Sequence, residues 1–151
     1  MRKTVKLVLL LLWMALIFFF SAQPDVESEE TSNLVAEIIY RIYYSIMAGN
    51  VHLSLSEFLL RFIQPIRELA HFTEFMILGI LIFINVIEYT NRNVFLKSFI
   101  FGTLYAISDE IHQLFVENRY CSIGDMLIDT AGCFVGIVIC HLIYKRWKKL
   151  H

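Results

Sequence analysis

Four long apolar runs, separated by short charged segments, constrain this chain more than any other feature. They cover residues 5–20, 69–87, 95–116 and 126–144, about half of the 151 residues. A bilayer hydrocarbon core of about 30 Å takes roughly 20 mostly apolar helical residues to cross, and the four runs come close to that length. Lipid gives the backbone no water to bond, so each run is expected to be a helix. Composition agrees, with 58% hydrophobic and 18% charged residues and a mean hydropathy of +0.63. Soluble domains carry about 25% charged residues. The expected fold class is therefore all-α, a polytopic membrane protein with four transmembrane helices in a single domain over residues 1–151.

The charges exclude other classes. Lys and Arg gather at the two ends and in one short loop, with no basic patch interleaved with aromatics, which argues against nucleic acid as a partner. Cys121, Cys133 and Cys140 form no CxxC pair, and there is no finger spacing or phosphate loop. Arg2-Lys3 before an apolar run resembles the start of a signal peptide. Cleavage after Ala22, however, would put bulky Phe20 where a small residue is wanted, so a retained anchor is expected.

Orientation follows from the positive-inside bias. With the N-terminus in the cytoplasm, nine of the 13 Lys and Arg residues fall on the inner side. The other four, Arg41, Arg61, Arg67 and Arg119, spread over much longer outer segments. Both termini are expected in the cytoplasm.

The first outer segment is patterned. Residues 25–30 read as a solvated acidic turn. From residue 31 to 66, apolar positions recur at helical spacing: Leu34, Val35, Ile38, Ile39, Ile42 and Ile46, then Phe58, Leu59, Phe62 and Ile63. These predict two interfacial amphipathic helices covering the outer end of the bundle. Ser32 or Asn33 is the expected cap of the first, and Gly49-Asn50 its stop.

The ionisable residues inside the spans carry the functional argument. Arg67, His71 and Glu74 are spaced four and three apart, on one helix face. Asp109, His112 and Gln113 share a face of the third span, with Glu110 beside them. Asp125 and Asp129 open the fourth, and Ser21-Ala-Gln23-Pro24 closes the first. Lys and Arg alone set the topology, yet these groups all fall near its outer end. A charge at the centre of a spanning helix costs about 2.5–3.5 kcal/mol, so the groups should face one another in a common wet pocket.

Such an inventory suits acid–base chemistry. His71, Glu74, Asp109, Glu110 and His112 are the candidate catalytic groups. Gln23, Arg67, Gln113, Arg119, Asp125 and Asp129 are the candidate binding groups, with Arg67 and Arg119 suited to phosphate or carboxylate. No cofactor signature is present. His with carboxylates admits a divalent metal, but Glu110 and His112 do not form HExxH. Neither Ser108 nor Ser122 sits in a GxSxG turn. The competing reading is a structural lock, His and Arg neutralising carboxylates within the bundle. Gly132 and Gly136 form GxxxG, which serves close helix packing within one chain or between two. His141, near the inner end, reads as interfacial.

At these residues the chain resembles the VanZ-like family of small bacterial membrane proteins, named for an accessory factor of resistance to the glycopeptide teicoplanin. The family's Ser-x-Gln-Pro is matched by Ser21-Ala-Gln23-Pro24. Its R-K-x-x-H-F-x-E-Y is matched by Arg67-Glu-Leu-Ala-His71-Phe72-Thr-Glu74-Phe75, and its D-E-x-H-Q-x-F by Asp109-Glu110-Ile-His112-Gln113-Leu-Phe115. A downstream Arg and D-x-x-x-[ND]-x-x-G are matched by Arg119 and by Asp125-Met-Leu-Ile-Asp129-Thr-Ala-Gly132. Glu68 and Phe75 depart from the pattern, and Val116-Glu117-Asn118 replaces a Pro-Gly turn. The resemblance implies a multi-pass protein of the bacterial cell membrane, acting in envelope biology or antibiotic resistance. The expected partners are the lipid bilayer and a lipid-linked cell-wall precursor or lipid headgroup. A non-catalytic envelope scaffold, or a factor governing antibiotic access, is the alternative.

Overall fold

The computed structural model describes residues 2–47 and 53–150. Five helices make it up: α1 (Lys3–Ser21), α2 (Asp25–Ile46), α3 (Leu55–Tyr89), α4 (Val94–Gln113) and α5 (Ile123–Leu150). Among the described residues there is no strand.

α1, α3 and α5 are long and apolar enough to cross a membrane. α4 matches them in length, but its 20 residues include Lys97, Asp109 and Glu110. Those charges keep its composition below that of an ordinary span. All four outer surfaces are apolar, with Leu12, Phe19, Leu104, Leu127 and Ile143 each more than half exposed.

Two expectations about the segment after α1 change. Residues 25–30 are not a turn but the start of α2, which follows directly on Pro24. Proline presets a helix entry. Ser32 therefore lies inside the helix rather than capping it, its hydroxyl donating to the Ser28 carbonyl at 2.8 Å. The expected stop at Gly49-Asn50 lies outside the described residues.

The second amphipathic helix and the second span are likewise one rod. α3 runs 35 residues without a break, ~52 Å at 1.5 Å per residue. Its start is a capping box: the Ser54 hydroxyl accepts from Glu57 N–H at 3.3 Å, and the Glu57 carboxylate accepts from Ser54 N–H at 2.9 Å. Pro65 sits inside the rod without ending it. Beyond the bundle, α2 leans on this extension through the Tyr40–Phe58 ring contact and a 2.9 Å hydrogen bond from Tyr40 to the Leu53 carbonyl.

Four helices form the bundle. The start of α1 meets the end of α3, where Lys6 pairs with Glu88 and the Asn85 amide donates to the Lys6 carbonyl at 3.0 Å. Midway along, the Trp13 indole donates to the Glu74 carbonyl and the Tyr105 hydroxyl to the Met14 carbonyl. The end of α5 brings His141 against Phe83 of α3 and Phe95 of α4. α1 and α4 thus run antiparallel to α3 and α5. Phe75, Leu78, Ile82, Ala106, Cys133 and Ile137 fill the core.

The tightest seam joins α3 to α5. Gly132 rests on the Phe72 carbonyl, Gly136 on the Met76 carbonyl, and Gly79 on the Cys133 carbonyl. A methyl group at any of them would overlap those backbone atoms. The GxxxG pair therefore works inside the chain. Gly136→Val is expected to destabilise the bundle by more than about 1–3 kcal/mol, the usual overpacking cost, because the obstacle is backbone. Gly124→Ala, which meets only the Ser122 hydroxyl at 3.4 Å, is the control. Thermal unfolding in detergent checks it, and a wild-type melting temperature for Gly136→Val refutes the seam.

Candidate functional site

One end of the bundle gathers the polar residues. The end of α1, the middle of α3, the end of α4 and the start of α5 meet there, with α2 laid across. Between them lies a cavity of about 200 Å³. Ser21 and Gln23 reach it from the end of α1 and just beyond, Arg67, His71 and Glu74 from α3, Asp109 from α4, and Arg119 from the α4–α5 connection. The four-and-three spacing on α3 does what helical geometry requires of it, turning three side chains to one side.

A second cavity of about 290 Å³ adjoins the first. Arg67 and Arg119 line both, so these two residues lie between them. Gln64, Glu68, Gln113, Ser122 and Asp125 complete its polar lining. Gln113 also reaches Asp109, its amide 3.4 Å from the carboxylate.

Three predicted residues stand behind these walls. Asp129 is fully buried, with its carboxylate 3.7 Å from His71 Nδ1. Glu110, also fully buried, accepts a 2.8 Å hydrogen bond from Ser122 N–H. Ser122 in turn accepts from Asp125 N–H at 3.2 Å, so Glu110 anchors the residue that starts α5. His112 lies against the Phe18 ring, centroids 4.0 Å apart. Glu110, His112 and Asp129 therefore line neither cavity, whereas Gln113 and Asp125 line the second.

The sequence pattern gives no cavity role to Ser28, Thr31 or Ser32, the last read there as a helix cap. All three line the first cavity from α2. Their i, i+3, i+4 spacing is a hydroxyl stripe on a helix read only for its apolar face. Ser21 was noticed as part of a motif, yet its side chain is 3% exposed and lies on the cavity wall.

The polar end holds buried atoms that no protein group satisfies. His71 Nδ1, Glu110 Oε1 and both Asp129 oxygens are buried without a hydrogen bond within the protein. Native interiors leave few such groups, because each costs about 1–3 kcal/mol. Their concentration at one end marks a place suited to water or a polar ligand. Among the described residues, no three His, Cys, Asp or Glu side chains group as a metal site would require.

A helical bundle with three helices long and apolar enough to cross a membrane, and polar residues gathered around a cavity at one end, points to a small membrane protein with a candidate binding site. The chain matches the family model described as VanZ/LLP1 over residues 6–144. It belongs to that family, and the match takes in every candidate residue named above. No curated protein and no solved structure matches it.

The His71–Asp129 contact is open to measurement. In a double-mutant cycle of His71→Gln and Asp129→Asn, unfolding of the purified protein is expected to give a coupling of about 0.5–3 kcal/mol. Penalties that simply add would show that the pair does not interact.

Proposed function

We propose that this chain is an envelope protein with four transmembrane helices. Its polar chamber opens to the outer leaflet and binds a cell-wall precursor or lipid headgroup, lowering susceptibility to glycopeptides such as teicoplanin. α4 is the fourth span: at 20 residues it is ~30 Å long. Its Asp109 and Glu110 turn inward, 3% and 0% exposed, while Lys97 lies near the opposite end. The positive-inside bias then puts both termini in the cytoplasm and the chamber outside. α2 and the first turns of α3 lie over its mouth as an interfacial cover.

One observation carries the reading. Six motif residues far apart in sequence, Gln23, Arg67, His71, Glu74, Asp109 and Arg119, line a single cavity. Arg67 and Arg119 suit an anionic group of the ligand. His71, Glu74 and Asp109 supply acid–base groups on the same wall, within reach of whatever is held there. Glu110, His112 and Asp129 act behind them as positioning residues.

The structural lock is the second reading, and the His71–Asp129 contact favours it. Single substitutions separate the two. Glu74→Gln and Asp109→Asn are near-isosteric and are expected to abolish the protein's contribution to teicoplanin tolerance in a deletion strain, with membrane abundance unchanged. Abundance falling in step with tolerance would assign the cluster to folding alone.

A further inference from the structure

The first cavity is amphipathic in a way that narrows its ligand. One wall carries both signs of charge: Arg67 and Arg119 against Glu74 and Asp109. A purely anionic group would meet the two carboxylates, and a purely cationic one the two guanidiniums. Apolar lining is supplied by Ile17 and Phe20 of α1, Val35 of α2 and Ile66 of α3. Phe20 and Val35 are 37% and 44% exposed. The apolar lining therefore continues onto the lipid-facing surface between α1 and α2.

Size adds a second restriction. At about 200 Å³ the cavity is smaller than the roughly 300–1,000 Å³ of pockets that enclose drug-sized ligands. The glycan–peptide headgroup of a lipid-linked cell-wall precursor is larger than such ligands. A phosphodiester with a short amine arm is smaller.

The α2 stripe adds a third. The Ser32 hydroxyl proton is committed to the Ser28 carbonyl, so its oxygen offers only lone pairs to the cavity. That is an acceptor, suited to an ammonium donor.

We infer that the ligand is a phospholipid with a zwitterionic, amine-bearing headgroup. Its phosphate sits between Arg67 and Arg119, its ammonium meets Glu74, Asp109 and the α2 hydroxyls, and its acyl chains leave between α1 and α2. This rests on the chamber being a binding site, as proposed above, and selects among the ligands that reading allows.

Native mass spectrometry of the full chain in detergent tests it. Phosphatidylethanolamine and phosphatidylglycerol are supplied in equal amounts, with lipid-linked cell-wall precursor in a separate arm and free phosphoethanolamine as competitor. The wild type is expected to retain phosphatidylethanolamine in preference to phosphatidylglycerol. Arg67→Gln should weaken retention of both about tenfold, the loss of one charged hydrogen-bonding group. Glu74→Gln/Asp109→Asn should erase the preference for the amine. Ser28→Ala/Ser32→Ala, on a helix outside the bundle, should weaken phosphatidylethanolamine alone, even if the buried variants fail to fold. Equal retention of the two phospholipids overturns the assignment. So does displacement by equimolar free phosphoethanolamine, which would make the ligand a soluble phosphate ester. Retention of the precursor instead overturns the phospholipid and leaves the binding chamber standing. If no supplied lipid is retained and the cavity variants match the wild type, the chamber reading falls as well.

Discussion

The backbone contact between α3 and α5 is the constraint on which the rest of the molecule depends. Gly132 and Gly136 lie against successive turns of α3, at Phe72 and Met76, and Gly79 answers at Cys133. Small residues on both helices remove the side-chain layer that normally keeps helices 8–10 Å apart. Because Gly132 opposes Phe72 and Gly136 opposes Met76, the two helices run parallel in a fixed register. That register sets Asp129, three residues before Gly132, beside His71, one residue before Phe72. The pair at 3.7 Å follows from the seam.

The same seam governs α4. Gly102 rests on the Cys133 sulfur, one residue along from Gly132. From there Asp109 lies two turns toward the chamber, and Glu110 reaches Ser122 to anchor the start of α5. The polar end is thus held by two unlike devices. Glycine contacts fix the spans below it, and a buried carboxylate fixes the connection above it. The turn between them departs from its family's Pro-Gly, yet Asn118 adopts the left-handed conformation at φ 59°. Asn enters that region more readily than other non-glycine residues, so the departure leaves room for a similar turn.

Much of this was legible because it is periodic. Apolar runs located the helices, and the 67/71/74 spacing put three side chains on one face whatever surrounded them. What failed to show lay in continuity and in rotation. The amphipathic pattern to residue 66 and the apolar run from residue 69 read as two helices, but they join in one rod, where Pro65 removes one hydrogen bond without ending it. The acidic run at residues 25–30 looked like solvent-exposed turn because its charges conceal the helical start. Which of Asp109, Glu110 and His112 reaches the cavity depends on how α4 is rotated against α1 and α3. Only the Phe18–His112 ring contact and the Ser122 anchor decide that. The cavity role of Ser28, Thr31 and Ser32 does not show in the sequence because hydroxyls contribute nothing to an apolar pattern.

The buried carboxylates bear on what the chamber is for. A lock built for stability alone would satisfy its own polar atoms, since an unpaired buried oxygen costs more than a good pair returns. Asp129 pairs with His71 at 3.7 Å, but both its oxygens are left without a hydrogen bond. Asp109 takes only a long hydrogen bond, 3.4 Å, from Gln113. His71 links the two settings, lining the cavity with one side of its ring and facing Asp129 with Nδ1. That arrangement is costly as a fastener and useful as the inner wall of a binding site.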